Sequence, residues 1–207
     1  MSKNELTTEK MTQALGWAYE KALNGIPGDL SSESLAKSYM KRFSSTDEAI
    51  HSLIKWQTAK SSTSGFVTGL GGIVTLPVAV PVNIASVLYV QMRMIAAIAY
   101  MRGYDLKDDQ VQTFVFICLT GQAASDILKQ SGITVGTKLT VQLIKKVPGA
   151  TLTKINQKVA FRLVTKFGEK GVINLGKLVP VVGGVIGASV DGVGTKIIGN
   201  QANKLFV

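Results

Sequence analysis

The sequence predicts an all-α fold, a single helical domain of about seven to eight helices whose central apolar helices are interrupted by glycine and proline. Three observations favour it. Apolar residues recur at helical spacing near the amino end. The 32 residues from 61 to 92 carry no charge, and they contain Pro77 and Pro81, each of which bends or stops a helix. Basic side chains fall on every fourth position from 154 to 170.

The first 60 residues are predicted to form three amphipathic helices of ordinary composition. The first ends at the run 24–28, whose glycines and proline interrupt the helical spacing. The second begins at Ser31 or Ser32 and the third at Ser45 or Thr46, because such side chains accept hydrogen bonds from the free amides of a helix start. We interpret this part of the chain as a soluble helical arm.

The uncharged block predicts two helices, at about 64–76 and 82–101, joined by a bend at the prolines. About 20 apolar residues suffice to cross a bilayer, so the block is long enough either to insert into a membrane or to form an apolar core. Arg93 lies near the middle of the second helix, where a charge costs roughly 2.5–3.5 kcal/mol on insertion scales. That cost favours burial against protein, or a shallow insertion, over a simple span.

Two ordinary helices and one basic helix are predicted next. Gly103 ends the apolar helix, Asp105 caps a helix that runs to about Gln130, and another helix covers roughly 134–147. A basic ridge at 154–170 winds by about 40° per step and lies beside apolar residues at the same spacing. It consists of Lys154, Lys158, Arg162, Lys166 and Lys170. We interpret it either as a solvated helix face without a function of its own or as a surface that binds anionic lipid, as basic amphipathic helices do.

Positive charge is concentrated in the second half of the chain. Of the formal net charge of +10, residues 111–207 carry +9. A one-sided basic field attracts anionic surfaces, which are lipid headgroups or nucleic acid. The basic half has few aromatic residues that could stack on bases and no zinc-finger or single-strand-binding signature, which disfavours nucleic acid. An anionic membrane surface is therefore the predicted partner.

Catalytic and cofactor motifs are sparse. His51 is the lone histidine, so a multi-histidine metal site is excluded, and Cys118 has no local base that would activate its thiol. Residues 171–178 approach a P-loop but end in leucine, where Mg²⁺ needs a Ser or Thr hydroxyl. We therefore predict no metal and no cofactor, and leave open whether the protein is an enzyme.

Polar side chains within apolar surroundings form a candidate polar site, which consists of Asn83, Gln91, Arg93, Asp126 and Asp191. An ionised group in an apolar interior needs a partner, so Arg93 is expected to meet Asp126 or Asp191. The site is interpreted either as a structural clasp that fixes helix register, which we favour, or as a site for a lipid headgroup or a catalytic step.

Five segments resemble one known family. That family is the EcsC family, and the segments are 68–77, 83–99, 103–105, 161–164 and 178–187 with Asp191. The resemblance covers roughly residues 45–207, which we interpret as a helical domain that follows an N-terminal helical arm at 1–44. Members of this family are bacterial, and its founding member is encoded beside an ABC transporter linked to protein secretion. The resemblance implies a membrane context but no reaction mechanism.

The predicted function is that of a non-enzymatic, membrane-associated accessory protein near transport or envelope processes, with a membrane transporter or another protein as a further partner. The polar N-terminus without a secretory signal and the unpaired cysteine indicate the cytoplasm, at the inner face of the cytoplasmic membrane. Two alternatives stay open. One is an enzyme that acts on lipid or peptide at the membrane, and the other is a soluble protein-binding module with a very apolar core.

Overall fold

The computed structural model describes residues 6–61, 80–133, 140–168 and 186–207. These ranges contain nine α-helices and no β-strand, and an isolated β-bridge joins Ile26 and Asp29. The all-α prediction is confirmed, with one or two helices more than expected. The helices are α1 (Thr8–Asn24), α2 (Ser32–Met40), α3 (Thr46–Ser61), α4 (Val82–Met101), α5 (Asp109–Cys118), α6 (Ala124–Gln130), α7 (Val141–Lys145), α8 (Gly149–Phe167) and α9 (Ile186–Leu205).

Serine side chains cap α2 and α3. Ser31 Oγ accepts a hydrogen bond from the amide three residues further on at 3.1 Å, and Ser45 Oγ does the same at 3.2 Å. Ser32, the other candidate for the start of α2, is buried and donates to the Ala22 carbonyl at 2.8 Å. Each cap satisfies an amide that the helix itself leaves unpaired.

A tight turn between α1 and α2 positions Asp29. The Asp29 amide donates to the Ile26 carbonyl at 2.9 Å, and Pro27 and Gly28 lie between them. Gly28 has φ +83°, a left-handed conformation that favours glycine, and the combination is typical of a type II turn. The glycines and proline that end the first helix therefore also direct an acidic side chain toward α4.

The central helix of the fold is α4, which contacts α1, α2, α3, α5 and α9. Within the described ranges its stretch Ile84–Met101 is long and apolar enough to cross a membrane, and 89% of that stretch is buried inside the protein. The bounds of α4 are those predicted, and Pro81 immediately precedes its first turn. The other predicted helix of the uncharged block, at 64–76, lies outside the described residues.

The prediction of one continuous helix up to residue 130 is wrong. The structure has α5, a 3₁₀ turn at Gly121–Ala123 and then α6. Gly121 has φ +59°, and a Cβ atom there would lie 3.3 Å from Cγ2 of Ile197 on α9. The chain therefore changes direction where α9 packs closely against it, and glycine permits both the conformation and the close approach.

Two helix boundaries also differ from the prediction. Asp105 does not cap the next helix, because its Oδ1 accepts from the Lys107 amide at 2.9 Å and α5 begins only after Asp108. The helix expected at 134–147 is present as the short α7, and residues 134–139 lie outside the described part of the chain.

The last two long helices complete the core. The buried side of α8 packs against α1, α5 and α6 and consists of Leu152, Ile155, Val159, Ala160 and Leu163. Helix α9 packs against both α3 and α4. Its Gly199 lies against Ile54 of α3, and Arg102 joins the two helices further along by donating to Asp47 at 2.5 Å and to Asn203 at 2.8 Å. The order of these contacts along the two helices shows that α3 and α9 run antiparallel.

The first two helices contribute to the same core. Helices α1 and α2 pack directly on α4, and α1 also packs on α8. The division of the chain into an arm and a domain at residue 44 stays a prediction.

Candidate functional site

Arg93 is the largest fully buried side chain among the described residues, with 2% of it exposed. Its Nη1 forms an ion pair with Oδ1 of Asp29 and donates to the Leu30 carbonyl at 3.1 Å. The expectation that Arg93 meets Asp126 is therefore wrong, because the turn before α2 brings Asp29 to α4 instead. The side chain of Asp191, the other expected partner, lies outside the described residues.

Tyr89 joins this ion pair from one turn earlier on α4. Its hydroxyl donates to Oδ2 of Asp29 at 3.2 Å, and its ring centroid lies 5.7 Å from Cζ of Arg93, within cation–π range. Burial raises the pKa of Tyr89 to about 12, the charge of Arg93 opposes the rise, and Asp29 adds to it. Near neutral pH the phenol therefore keeps its proton and serves as a donor. We call Asp29, Tyr89 and Arg93 the Asp29 clasp.

The Asp29 clasp has the arrangement of a structural element. Both carboxylate oxygens of Asp29 accept hydrogen bonds within the protein, and Oδ1 also accepts from the Leu30 amide at 3.0 Å. A buried guanidinium is costly unless it is paired and hydrogen-bonded, and this geometry supplies both. Of the side-chain atoms of the clasp, Nε of Arg93 is the one that is buried without a hydrogen-bond partner among the described residues. The clasp fastens the turn before α2 to the central helix.

Gln91 faces a different neighbour. Its Nε2 lies 3.5 Å from Oγ1 of Thr195 on α9, in a buried contact. Residues two apart on a helix point about 200° apart, so Gln91 and Arg93 face different sides of α4. Asp126 is exposed, in a groove between α6 and α8. The structure therefore does not bring these three predicted residues together, and the side chain of Asn83 lies outside the described residues.

The outward face of α8 combines cations with one aromatic side chain. Lys154 and Arg162 are exposed and form no hydrogen bond or ion pair with other described residues. Phe161 is 64% exposed, more than any other large hydrophobic residue in the described ranges. Because residues advance about 100° around a helix, Phe161 falls on the side of α8 that also carries Lys154, Lys158 and Arg162.

Two other predicted members of the ridge are less exposed to solvent. Lys158 is half-buried, and its Nζ donates to the Gln130 carbonyl at the end of α6 at 3.1 Å. Lys166 is also half-buried, with Nζ 5.2 Å from the ring centroid of Phe167, so the ridge turns toward the protein at its end. Lys170 lies outside the described residues.

Sequence reasoning missed Asp29, Tyr89 and Phe161. A signal existed for each: Asp29 directly follows a turn sequence, Tyr89 lies four residues before the buried cation, and Phe161 lies seven residues after Lys154. Each signal marks a residue but does not identify its partner. Asp29 and Arg93 lie 64 positions apart in the chain, and only the tertiary fold brings them together.

Comparison with known proteins identifies one relationship. The model of a family described as the EcsC protein family matches residues 2–207. No curated protein and no solved structure matches the chain. Among the described residues, no group of three or more His, Cys, Asp or Glu side chains could hold a metal ion.

Proposed function

The chain belongs to the EcsC protein family, and from this premise we propose that it is a membrane-associated accessory protein that binds anionic lipid surfaces through α8. The observation that carries the proposal is the outward face of α8, where Phe161 lies exposed among basic side chains. On this proposal α8 acts as a basic amphipathic helix that lies in the plane of the membrane interface.

Charge supplies the first part of the proposed attraction. Lys154 and Arg162 are exposed and are not neutralised by an acidic partner among the described residues. Near an anionic membrane surface each such cation contributes about 1 kcal/mol, and the attraction falls off within a Debye length. Binding should therefore weaken as salt is added.

Phe161 supplies the second part. Its ring lies within the basic face, where it could enter the boundary between headgroups and acyl chains while the cations stay with the phosphates. Salt does not screen this apolar contribution as it screens the attraction between charges, so part of the binding should persist at high salt.

The proposed mode does not require α4 to leave the protein. Because 89% of its apolar stretch is already buried by neighbouring helices, α4 can stay in the core while α8 contacts lipid. We propose the inner face of the cytoplasmic membrane as the location, near transport or envelope processes, with a membrane transporter as a candidate protein partner.

Flotation with lipid vesicles tests the proposal. We expect the purified protein to float with vesicles that contain phosphatidylglycerol and to stay behind with vesicles of phosphatidylcholine alone. Replacing Lys154 and Arg162 together by alanine should weaken binding about 30-fold, since two lipid-facing cations contribute about 2 kcal/mol. Phe161→Ala should remove mainly the part of the binding that resists salt.

A matched double variant controls for net charge. Lys55→Ala with Lys196→Ala removes two exposed cations from α3 and α9 and leaves the face of α8 intact. It should bind vesicles nearly as well as the natural protein. Equal losses in the two double variants would mean that binding follows total charge and not α8, and no flotation at all would end the proposal.

A further inference from the structure

A groove of about 550 Å³ runs between α6 and α8, on the side of α8 that carries its cations. That volume falls within the range of small-molecule sites, which is about 300–1,000 Å³. Its lining combines one carboxylate, three cations and an apolar surface, contributed among others by Asp126, Ile127, Lys154, Lys158, Phe161 and Arg162. The groove therefore offers both charged and apolar contacts to a ligand.

The charges in this groove do not neutralise one another. Asp126, Lys154 and Arg162 form no hydrogen bond or ion pair among the described residues, although all three line the same groove. Lys158 is held by the carbonyl of Gln130 and has two further N–H donors. The lining thus presents an excess of positive charge with one available carboxylate.

This pattern restricts the chemistry of a ligand. Ammonium and guanidinium groups bind phosphate oxygens, so the three cations fit a phosphodiester. A carboxylate repels phosphate and can contact such a ligand only through a hydrogen-bond donor on another part of it. A lipid headgroup that carries hydroxyl groups beyond its phosphate offers both a phosphodiester for the cations and hydrogen-bond donors for the carboxylate. The apolar part of such a lipid could lie against Ile127 and Phe161.

We propose that the groove binds the headgroup of a phosphatidylglycerol-type lipid. Lys154 and Arg162 contact the phosphate, and Asp126 accepts hydrogen bonds from the glycerol hydroxyls. This inference rests on the proposed function, because the lipid must already lie in a membrane that α8 contacts. It adds a preference for one headgroup among lipids of equal charge.

Two vesicle types with the same surface charge separate this preference from general attraction. Phosphatidylmethanol has the same net charge as phosphatidylglycerol but no headgroup hydroxyl. We expect the natural protein to bind phosphatidylglycerol vesicles about tenfold more tightly, as one hydrogen bond to a charged group would provide. Asp126→Ala should abolish this preference. The Asp126→Ala variant should also bind phosphatidylmethanol vesicles slightly more tightly than the natural protein does, because a negative charge has been removed.

Glu48→Ala is the matched control, since it removes an exposed negative charge from α3, outside the groove. It should improve binding to both vesicle types alike and keep the preference. Equal binding of the natural protein to both vesicle types, or a preference that survives Asp126→Ala, would overturn the headgroup site and leave the proposed function standing. Absence of binding to either vesicle type would overturn both.

Discussion

Arg93 on α4 is fastened to Asp29, which lies 64 residues earlier, by the ion pair that holds the α1–α2 turn against the central helix. The two partners differ in burial, since the Arg93 side chain is 2% exposed and that of Asp29 is 25% exposed. Loss of Asp29 leaves a buried guanidinium without its counter-charge. Loss of Arg93 leaves a carboxylate that water can still reach.

This asymmetry predicts unequal effects of the two single substitutions. Asp29→Ala should lower the free energy of unfolding by about 3 kcal/mol. This value is at the low end of the range for breaking a buried ion pair, because Asp29 is partly exposed. Arg93→Met should cost less, and the double variant should be more stable than Asp29→Ala alone. Urea unfolding followed by circular dichroism measures all three, with Glu48→Ala as an exposed control. Losses that simply add in the double variant would contradict the pairing.

Two glycines of α9 should respond to alanine in opposite directions. A Cβ atom at Gly199 would lie 2.8 Å from Cγ1 and 3.0 Å from Cγ2 of Ile54, whereas at Gly194 it would meet nothing within 4 Å. Gly199→Ala should destabilise the protein by about 1–2 kcal/mol through overpacking. Gly194→Ala should stabilise it by about 0.5–1 kcal/mol, because alanine favours the helix. Thermal unfolding of both variants measures this, and a Gly199→Ala variant that is as stabilised as Gly194→Ala would show that α3 and α9 are not in close contact.

Alkaline pH should destabilise the protein through Tyr89. The pKa of this phenol rises from 10.0 to about 12 on folding, mainly because of burial. Between these values the unfolded chain loses the proton while the folded protein retains it, so the folded state binds more protons and stability falls as pH rises. Tyr89→Phe should be less stable at neutral pH, where it lacks the hydrogen bond to Asp29, but should show a shallower decline above pH 10.0. Because burial also raises the pKa of Tyr19, ultraviolet difference titration should show one late-titrating tyrosine fewer in Tyr89→Phe than in the natural protein. A decline in stability that is equally steep in both proteins would exclude this role of Tyr89.

Cys118 should report on global unfolding. Its thiol is fully buried on α5, and burial raises its pKa, so the reactive thiolate is disfavoured in the folded state. A water-soluble thiol reagent should react far more slowly with the native protein than with protein in urea, and the reaction rate should follow the unfolding curve. Rapid labelling of native protein that is still fully helical would mean that α5 opens locally.

The helices could be predicted largely from the sequence, but their contacts could not. Helix α4 was predicted with its observed bounds because Pro81 and Gly103 mark its ends chemically. The break near Gly121 was missed because the same apolar spacing continues across it, and the close approach of α9 is a tertiary property.

The candidate site was predictable only in part, for the same reason. Burial of Arg93 follows from its apolar neighbours, whereas the choice of Asp29 as its partner depends on a turn that brings distant residues together. The exposure of Phe161 likewise depends on which side of α8 packs against α1, α5 and α6.

The central position of α4 has a consequence for the order of synthesis. Helices α1, α2 and α3 all contact α4 and all precede it in the chain. A ribosome therefore releases the most apolar described helix only after three of the helices that cover it are already available. The ion pair between Asp29 and Arg93 can then form as soon as α4 emerges, before α8 and α9 are made. This order limits the time during which an apolar segment is exposed to aggregation or to a membrane-insertion machinery.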